Sequence, residues 1–190
     1  NPVPLTGLNG VLYFQANDGT NGVELWKTTG TGAGTTMVKN INPSGDSYPG
    51  ALFSVNGTLL FSAIDGTSGG ELWKTDGTAN GTKLVKNIRP GGASSFPNLQ
   101  ATLGSSVYFA ADNGTKGTEL WKSNGTPSGT VLVKDINPGA GGSNPNNMVV
   151  IGTTLYFTAN DGSKGTELWK TNGTAAGTKR VKDINPGASS

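Results

Sequence analysis

Four copies of the tripeptide Glu-Leu-Trp contain every glutamate and every tryptophan of this 190-residue chain. A tryptophan beside a carboxylate could bind a sugar, because the ring is an apolar platform and the carboxylate accepts hydrogen bonds from hydroxyl groups. The repetition predicts four equivalent ligand sites. Their residues would be Glu24, Trp26, Glu71, Trp73, Glu119, Trp121, Glu167 and Trp169.

The same tripeptides also have a structural interpretation. Large aromatic side chains are mostly buried, and a buried glutamate requires hydrogen-bond partners. Each tryptophan would then pack between neighbouring repeats, while each glutamate would accept hydrogen bonds from a nearby loop. General burial statistics favour this interpretation for the tryptophans and explain the glutamates less readily.

A second candidate is a polar loop that recurs in each repeat and contains one aspartate, as in Asn17-Asp18-Gly19-Thr20. Carboxylate, carbonyl and hydroxyl oxygens are the ligands that Ca²⁺ prefers. Calcium sites usually gather several acidic groups, so ordinary turn chemistry is the favoured explanation and no cofactor is expected. The candidate calcium ligands are Asp18, Asp65, Asp112 and Asp161.

Several function classes lack the residues that they need. The chain has no histidine and no cysteine, which leaves nucleophilic catalysis without support. Paired-carboxylate hydrolysis needs two acids in unlike environments, whereas repetition gives the glutamates equal ones. No phosphate loop ending in Gly-Lys-Ser/Thr occurs. We therefore expect a protein without enzymatic activity.

Charge and hydropathy limit the partners. A net charge of +2 with no lysine or arginine cluster gives no reason to expect nucleic acid. No stretch approaches the roughly 20 apolar residues of a membrane span, so we expect no membrane insertion. The absence of cysteine fits an extracellular bacterial protein.

The elements that position these residues follow from the repeat. The tryptophans are 47, 48 and 48 residues apart. Within residues 49–96, short apolar runs at 52–55, 58–64, 71–75 and 83–88 are separated by turn signals such as Asn56-Gly57. No apolar stripe has the 3.6-residue period of a helix. Each repeat is predicted to be a four-stranded antiparallel sheet.

Such a sheet has apolar residues on both faces and must stack on its neighbours. Four strands in 40–50 residues is the period typical of propeller blades. We therefore expect an all-β fold and a single β-propeller domain over 1–190. Its four blades would span about 1–48, 49–96, 97–144 and 145–190.

The number of blades in the ring stays open at this point. The proline spacing predicts four whole repeats, with the chain ends in one inter-repeat loop. Four blades could close one ring, two chains could form an eight-bladed ring, or the chain could be a segment of a longer array.

The segment Glu71-Leu72-Trp73-Lys74-Thr75-Asp76-Gly77-Thr78 resembles the ELWxxDGT repeat of bacterial secreted and surface proteins, and all four repeats share it. It is more distantly similar to the TolB-type propeller blade. The resemblance implies a secreted or cell-surface, β-rich repeat protein. Three copies depart from the motif with Thr29, Asn124 and Asn172 in place of Asp76, which suits a turn role rather than an obligatory carboxylate.

Two functional hypotheses follow. The first is a non-catalytic extracellular binding module for glycans or another surface ligand, using repeated equivalent sites. The second is a structural or assembly module, either a spacer in a surface protein or a half-ring that dimerises into a larger propeller. The second hypothesis includes a homo-oligomer.

Overall fold

The computed structural model describes residues 2–184 and Pro186, which form sixteen β-strands and no helix. They make four four-stranded antiparallel sheets with neighbouring strands in chain order, so the all-β prediction is confirmed. No helix of the described residues is long and apolar enough to cross a membrane. The chain divides into two compact units, unit 1 over Asn1–Ser95 and unit 2 over Phe96–Ser190.

Unit 1 contains two of the sheets. Sheet 1 is made of β1 (Val3–Leu8), β2 (Val11–Asn17), β3 (Val23–Thr28) and β4 (Thr36–Lys39). Sheet 2 is made of β5 (Phe53–Val55), β6 (Thr58–Ile64), β7 (Gly70–Thr75) and β8 (Lys83–Lys86).

Unit 2 repeats this arrangement. Sheet 3 is made of β9 (Asn98–Leu103), β10 (Ser106–Asp112), β11 (Thr118–Ser123) and β12 (Val131–Lys134). Sheet 4 is made of β13 (Asn146–Ile151), β14 (Thr154–Asn160), β15 (Thr166–Thr171) and β16 (Lys179–Lys182).

The predicted strands of residues 49–96 all form, with the starts of β5 and β7 shifted by one residue and a larger difference at the end of the repeat. The last strand was expected to reach residue 88 but ends at Lys86. The backbone N–H of Ile88 donates to the Glu71 carboxylate instead of to a neighbouring strand. A side-chain acceptor thus takes over one backbone donor and ends the strand.

Each sheet has two different apolar faces, because successive side chains of a strand point in opposite directions. We call them the leucine face and the tryptophan face, after the two residues of Glu-Leu-Trp. In every sheet a phenylalanine lies opposite the tryptophan on the neighbouring strand. The pairs are Phe14–Trp26, Phe61–Trp73, Phe109–Trp121 and Phe157–Trp169.

Within each unit, the leucine face of one sheet packs on the tryptophan face of the next. In unit 1, Leu25, Val38 and Ile41 of the first repeat share one buried cluster with Phe61 and Trp73. In unit 2 the equivalent cluster joins Leu120, Val133 and Ile136 to Phe157 and Trp169. Burial of each large aromatic contributes roughly 2–3 kcal/mol, so this face-to-face packing holds each unit together.

Lysines reinforce the same packing at its edge. The Nζ of Lys27 donates to the carbonyl of Gly77 at 2.7 Å, and the Nζ of Lys39 donates to the carbonyl of Thr82 at 2.8 Å. Unit 2 repeats both bonds from Lys122 to Gly173 at 2.7 Å and from Lys134 to Thr178 at 3.0 Å. Lys27 and Lys122, which follow Trp26 and Trp121, therefore each connect two sheets.

A tyrosine on the leucine face explains a glycine in the next sheet. Gly77 has a φ of +87°, and a Cβ added there would clash with the Tyr13 hydroxyl oxygen. Gly173 has the same relation to Tyr108 in unit 2. The glycine is required both by its left-handed backbone and by the close approach of the tyrosine.

Replacing Gly77 with alanine should destabilise the protein more than the same change at Gly30. Both glycines have a φ near +90°, but a Cβ at Gly30 would meet nothing within 4 Å. Backbone strain costs about 1–2 kcal/mol at either position, and the clash with Tyr13 should add about 1–3 kcal/mol at Gly77. Urea unfolding of dilute protein measures the difference.

A double variant provides the control for this prediction. Tyr13→Phe removes the clashing oxygen, so Gly77→Ala should cost less in that background than alone. Equal losses of unfolding free energy for Gly77→Ala and Gly30→Ala would show that the contact with Tyr13 does not explain why residue 77 is glycine.

Candidate functional site

The four glutamates of Glu-Leu-Trp are buried acceptors of backbone hydrogen bonds. Glu24 Oε2 accepts from the N–H of Ile41 at 2.9 Å, and Oε1 accepts from the N–H of Asn42 at 3.1 Å. The same two positions, occupied by Ile and the residue after it, donate to Glu71 and Glu119. Glu167 accepts from the N–H of Ile184 at 3.0 Å. The carboxylates bind the segment that follows the last strand of each sheet.

The first three glutamates also bind a buried serine in the connector to the next sheet. The Ser47 hydroxyl donates to Glu24 at 2.7 Å, and the Ser95 hydroxyl donates to Glu71 at 2.7 Å. The Ser143 hydroxyl donates to Glu119 at 2.6 Å. The position equivalent to these serines in the fourth repeat lies outside the described residues.

The connector serine joins two sheets through its backbone. In unit 1, Ser47 N–H donates to the carbonyl of Val23 in sheet 1, and the Ser47 carbonyl accepts from Ile64 N–H in sheet 2, both at 2.9 Å. In unit 2, Ser143 makes the equivalent bonds to Thr118 and Asn160, also at 2.9 Å. Glu24 and Glu119 therefore fix the point where one sheet of a unit leads into the next.

Burial sets the ionisation of these carboxyls. Desolvation raises the pKa of Glu24, Glu71 and Glu119, although the hydrogen bonds from the serine hydroxyl and the backbone N–H groups oppose part of that rise. The bonds are those of an ionised carboxylate, which accepts at both oxygens.

The residue after the connector serine is exposed and has an uncommon backbone. Tyr48, Phe96 and Asn144 have φ values of 43°, 48° and 48°, and each precedes a proline. The exposed fraction is 56% for Tyr48 and 74% for Phe96. A bulky residue in the left-handed region is an outlier, whereas asparagine is tolerated there.

Tyr48 has a carboxylate next to it. Its hydroxyl hydrogen-bonds to Asp46, which raises the pKa of the tyrosine. Asp46 Oδ1 also accepts from the N–H of Val23 at 2.6 Å, and these bonds hold the pKa of Asp46 below its usual value. The aromatic ring is thus displayed beside an ionised acceptor.

Trp73 and Trp169 lie on faces that pack on the preceding sheet of their unit. Trp73, Trp121 and Trp169 are buried, and Trp26 is half-buried. The indole N–H of Trp169 donates to the carbonyl of Ala159 at 3.0 Å. The indole nitrogens of Trp26, Trp73 and Trp121 are buried without a hydrogen-bond partner among the described residues.

The predicted calcium ligands act in turns. Asp18 accepts from the N–H groups of Thr20 and Asn21, at 2.9 and 2.8 Å. Asp65 and Asp161 make the same pair of bonds with the residues two and three positions later. Across residues 2–184 and Pro186, no three acidic side chains come together as a group that could hold a metal ion.

The third repeat shows that this turn does not need a carboxylate. Asn113 occupies the position of Asp18 and accepts from Thr115 and Lys116 N–H, both at 3.0 Å. Asp112 lies one position earlier, where it accepts from Gly114 N–H as Asn17 accepts from Gly19. The amide oxygen supports the same turn as the carboxylate.

A pair of positions 19 residues apart links this turn to the end of the last strand. The pair is Asn21–Asn40 in the first repeat, with a 2.9 Å bond between the two amides. It becomes the ion pairs Lys116–Asp135 and Lys164–Asp183 in the third and fourth repeats. Both positions change from neutral to charged in the same repeats. This joint change is visible in the sequence and could have predicted the contact.

The comparisons with known proteins bear on the fold. No protein-family model matches the chain, and no curated protein matches it. A puromycin hydrolase structure matches 96% of this chain with a TM-score of 0.58 and 15% identity. A prolyl endopeptidase structure matches 98% with a TM-score of 0.57 and 14% identity. This chain spans 29% of each of those chains, which have propeller domains, and the likeness shows the fold alone.

Replacing Glu71 with glutamine should destabilise the protein by roughly 2–3 kcal/mol, because the amide supplies one acceptor and turns a donor towards backbone N–H groups. Wild-type stability should fall as pH rises from about 4.5, the usual pKa of the carboxyl, to its raised folded value. The variant lacks this titration. The difference in unfolding free energy should therefore be larger at pH 4 than at pH 7, as measured by urea unfolding.

Asp76→Asn is the matched control. Asn124 and Asn172 already make the same turn bonds as Asp76 in other repeats, so this change should stay within about 0.5 kcal/mol. A Glu71→Gln variant as stable as the control would contradict the structural role of the buried carboxylate.

Proposed function

We propose that this chain is a non-catalytic binding module with a β-propeller fold, and that the exposed residues of its connectors contact a glycan. The observation that carries the proposal is the display of Tyr48 and Phe96 at positive φ on connectors fixed by buried glutamates. Similarity to propeller-containing structures supports the propeller.

Both aromatics are unfavourable in the free protein. An exposed ring gains little from burial, and the left-handed backbone of a bulky residue costs about 1–2 kcal/mol. Asn144 at the third connector shows a residue that suits the same backbone better. Strained, exposed residues that persist are characteristic of functional sites, so a gain in a bound state would explain both aromatics.

The chemistry around the aromatics suits a carbohydrate. A flat ring packs against the apolar C–H face of a sugar, and a neighbouring carboxylate accepts hydrogen bonds from its hydroxyl groups. Tyr48 and Asp46 supply this combination on one connector. The tryptophans and glutamates of Glu-Leu-Trp have packing and backbone partners instead. The glutamates hold the connectors in place through hydrogen bonds to the buried serines.

An open connector makes few contacts with a ligand, so each site should bind weakly. Repetition raises the overall affinity for a ligand that itself repeats, because the second contact becomes intramolecular. A polysaccharide or a glycan-coated surface has this property. The resemblance to secreted and surface repeat proteins supports an extracellular location for such a module.

Phe96→Asn tests the proposal, because it should separate stability from binding. The variant should be more stable than wild type by about 1 kcal/mol, since asparagine tolerates the left-handed backbone. It should bind glycans identified on an array at least several-fold more weakly. Isothermal titration calorimetry measures the glycan affinity, and urea unfolding measures the stability. Tyr48→Asn should show the same two effects.

Val131→Asn is the control, because Val131 is an exposed apolar residue outside the connectors. It should leave glycan binding unchanged. Folded wild-type protein that binds nothing on a broad array, or connector variants that bind as wild type does, would refute the proposal.

A further inference from the structure

Within residues 2–184 and Pro186, the leucine face of sheet 4 is an apolar face that no other sheet covers. The same face of sheet 3 lies under sheet 4, with Leu120, Val133 and Ile136 buried. Residues 48 positions later are Leu168, Val181 and Ile184, and their exposed fractions are 36%, 46% and 67%. The remaining exposed apolar residues of the face are Val149 and Ile151, opposite Tyr156 and Thr154 on the neighbouring strand.

The tryptophan face of sheet 1 is uncovered in the same way. Leu12 is 39% exposed, whereas Leu59 at the equivalent position of sheet 2 is 2% exposed. Trp26 is only half-buried, and Thr35 is exposed where Thr82 is fully buried. This face has the composition of those that receive a leucine face in both units.

The polar edges of the two faces are also complementary. Lys170 and Lys182 of sheet 4 are exposed, while Lys122 and Lys134 at the equivalent positions donate to the carbonyls of Gly173 and Thr178. The matching acceptors of sheet 1 are Gly30 and Thr35, both exposed. A Cβ at Gly30 would meet nothing, so the space that a tyrosine occupies beside Gly77 and Gly173 is open there.

We propose that two copies of this chain associate head to tail, with the leucine face of sheet 4 of one copy packed on the tryptophan face of sheet 1 of the other. The interface repeats the one inside each unit. Lys170 and Lys182 of one copy donate to the carbonyls of Gly30 and Thr35 of the second copy, and Tyr156 packs beside Gly30.

The faces favour this occupant over a symmetric pairing of identical faces. Two leucine faces packed together would bring Lys170 and Lys182 of both copies into one interface without carbonyl acceptors, which like charges disfavour. The head-to-tail interface is heterologous, so each copy keeps one free face until the assembly closes or extends.

Charged substitutions on the two faces test the proposal. Leu168→Glu blocks the leucine face of sheet 4, and Leu12→Glu blocks the tryptophan face of sheet 1. Both residues are exposed in the single chain, so the changes should preserve its fold. Val131→Glu is the matched control, because Val131 is also 36% exposed and other repeats have threonine or lysine at its position.

Sedimentation velocity over a wide concentration range gives the readout. Wild type and Val131→Glu should form species heavier than the 19.3 kDa chain, whereas each blocked variant alone should remain a single chain. An equimolar mixture of the two blocked variants should form a species of two chains, since each contributes the face that the other lacks.

Three results would overturn the proposal. Wild type could remain a single chain at every concentration. Leu168→Glu could abolish association while Leu12→Glu leaves it intact, which would indicate identical faces packed together. The mixture of blocked variants could fail to associate although circular dichroism shows both to be folded.

Milder variants keep the test valid if a glutamate variant unfolds. Leu168→Ala and Leu12→Ala should each weaken association on the order of 10- to 100-fold, as truncation of a central apolar contact does. Lys170→Met should weaken it less while leaving the apolar face intact. Unchanged association in all three variants would also overturn the proposal.

Discussion

A buried carboxylate that accepts backbone hydrogen bonds is the interaction on which each repeat of this protein depends. It binds the segment after the last strand, and in the first three repeats it also binds the serine of the connector. In the first and third repeats that serine hydrogen-bonds to the next sheet, so the carboxylate sets where that sheet begins. Replacing it with an apolar residue would leave several backbone N–H groups buried without acceptors. The same bond to the segment after the last strand recurs in all four sheets, and it explains the repeated glutamate without a catalytic role.

Much of the fold could be predicted from the sequence because turns and apolar runs act locally. Asn56-Gly57 ends one strand and begins the next, and the positive φ of both residues agrees with that role. The partners of Glu71 were not predictable in detail, because Ile88 and Ser95 lie 17 and 24 residues away. Only the fold brings these groups together, although the need of a buried glutamate for partners was evident.

Other features could not be read from any single repeat. Leu120 and Leu168 occupy identical Glu-Leu-Trp-Lys segments, yet one is fully buried and the other is 36% exposed. Identical local sequence gives identical strands, whereas burial depends on which sheet follows. The connector aromatics were missed for a different reason: the position after the serine is Tyr48, Phe96 and Asn144 in successive repeats, so it does not stand out as conserved chemistry.

The change of charge between repeats has a consequence for folding. Nearly identical strands can pair with the wrong copy, and repeat proteins are prone to such exchange during folding. If the final strand of sheet 3 paired in place of β4 in sheet 1, Asp135 would face Asn21 and Lys116 would lose its partner. Such an exchange would break an ion pair of unit 2 and the amide pair of sheet 1, so we expect these pairs to disfavour it.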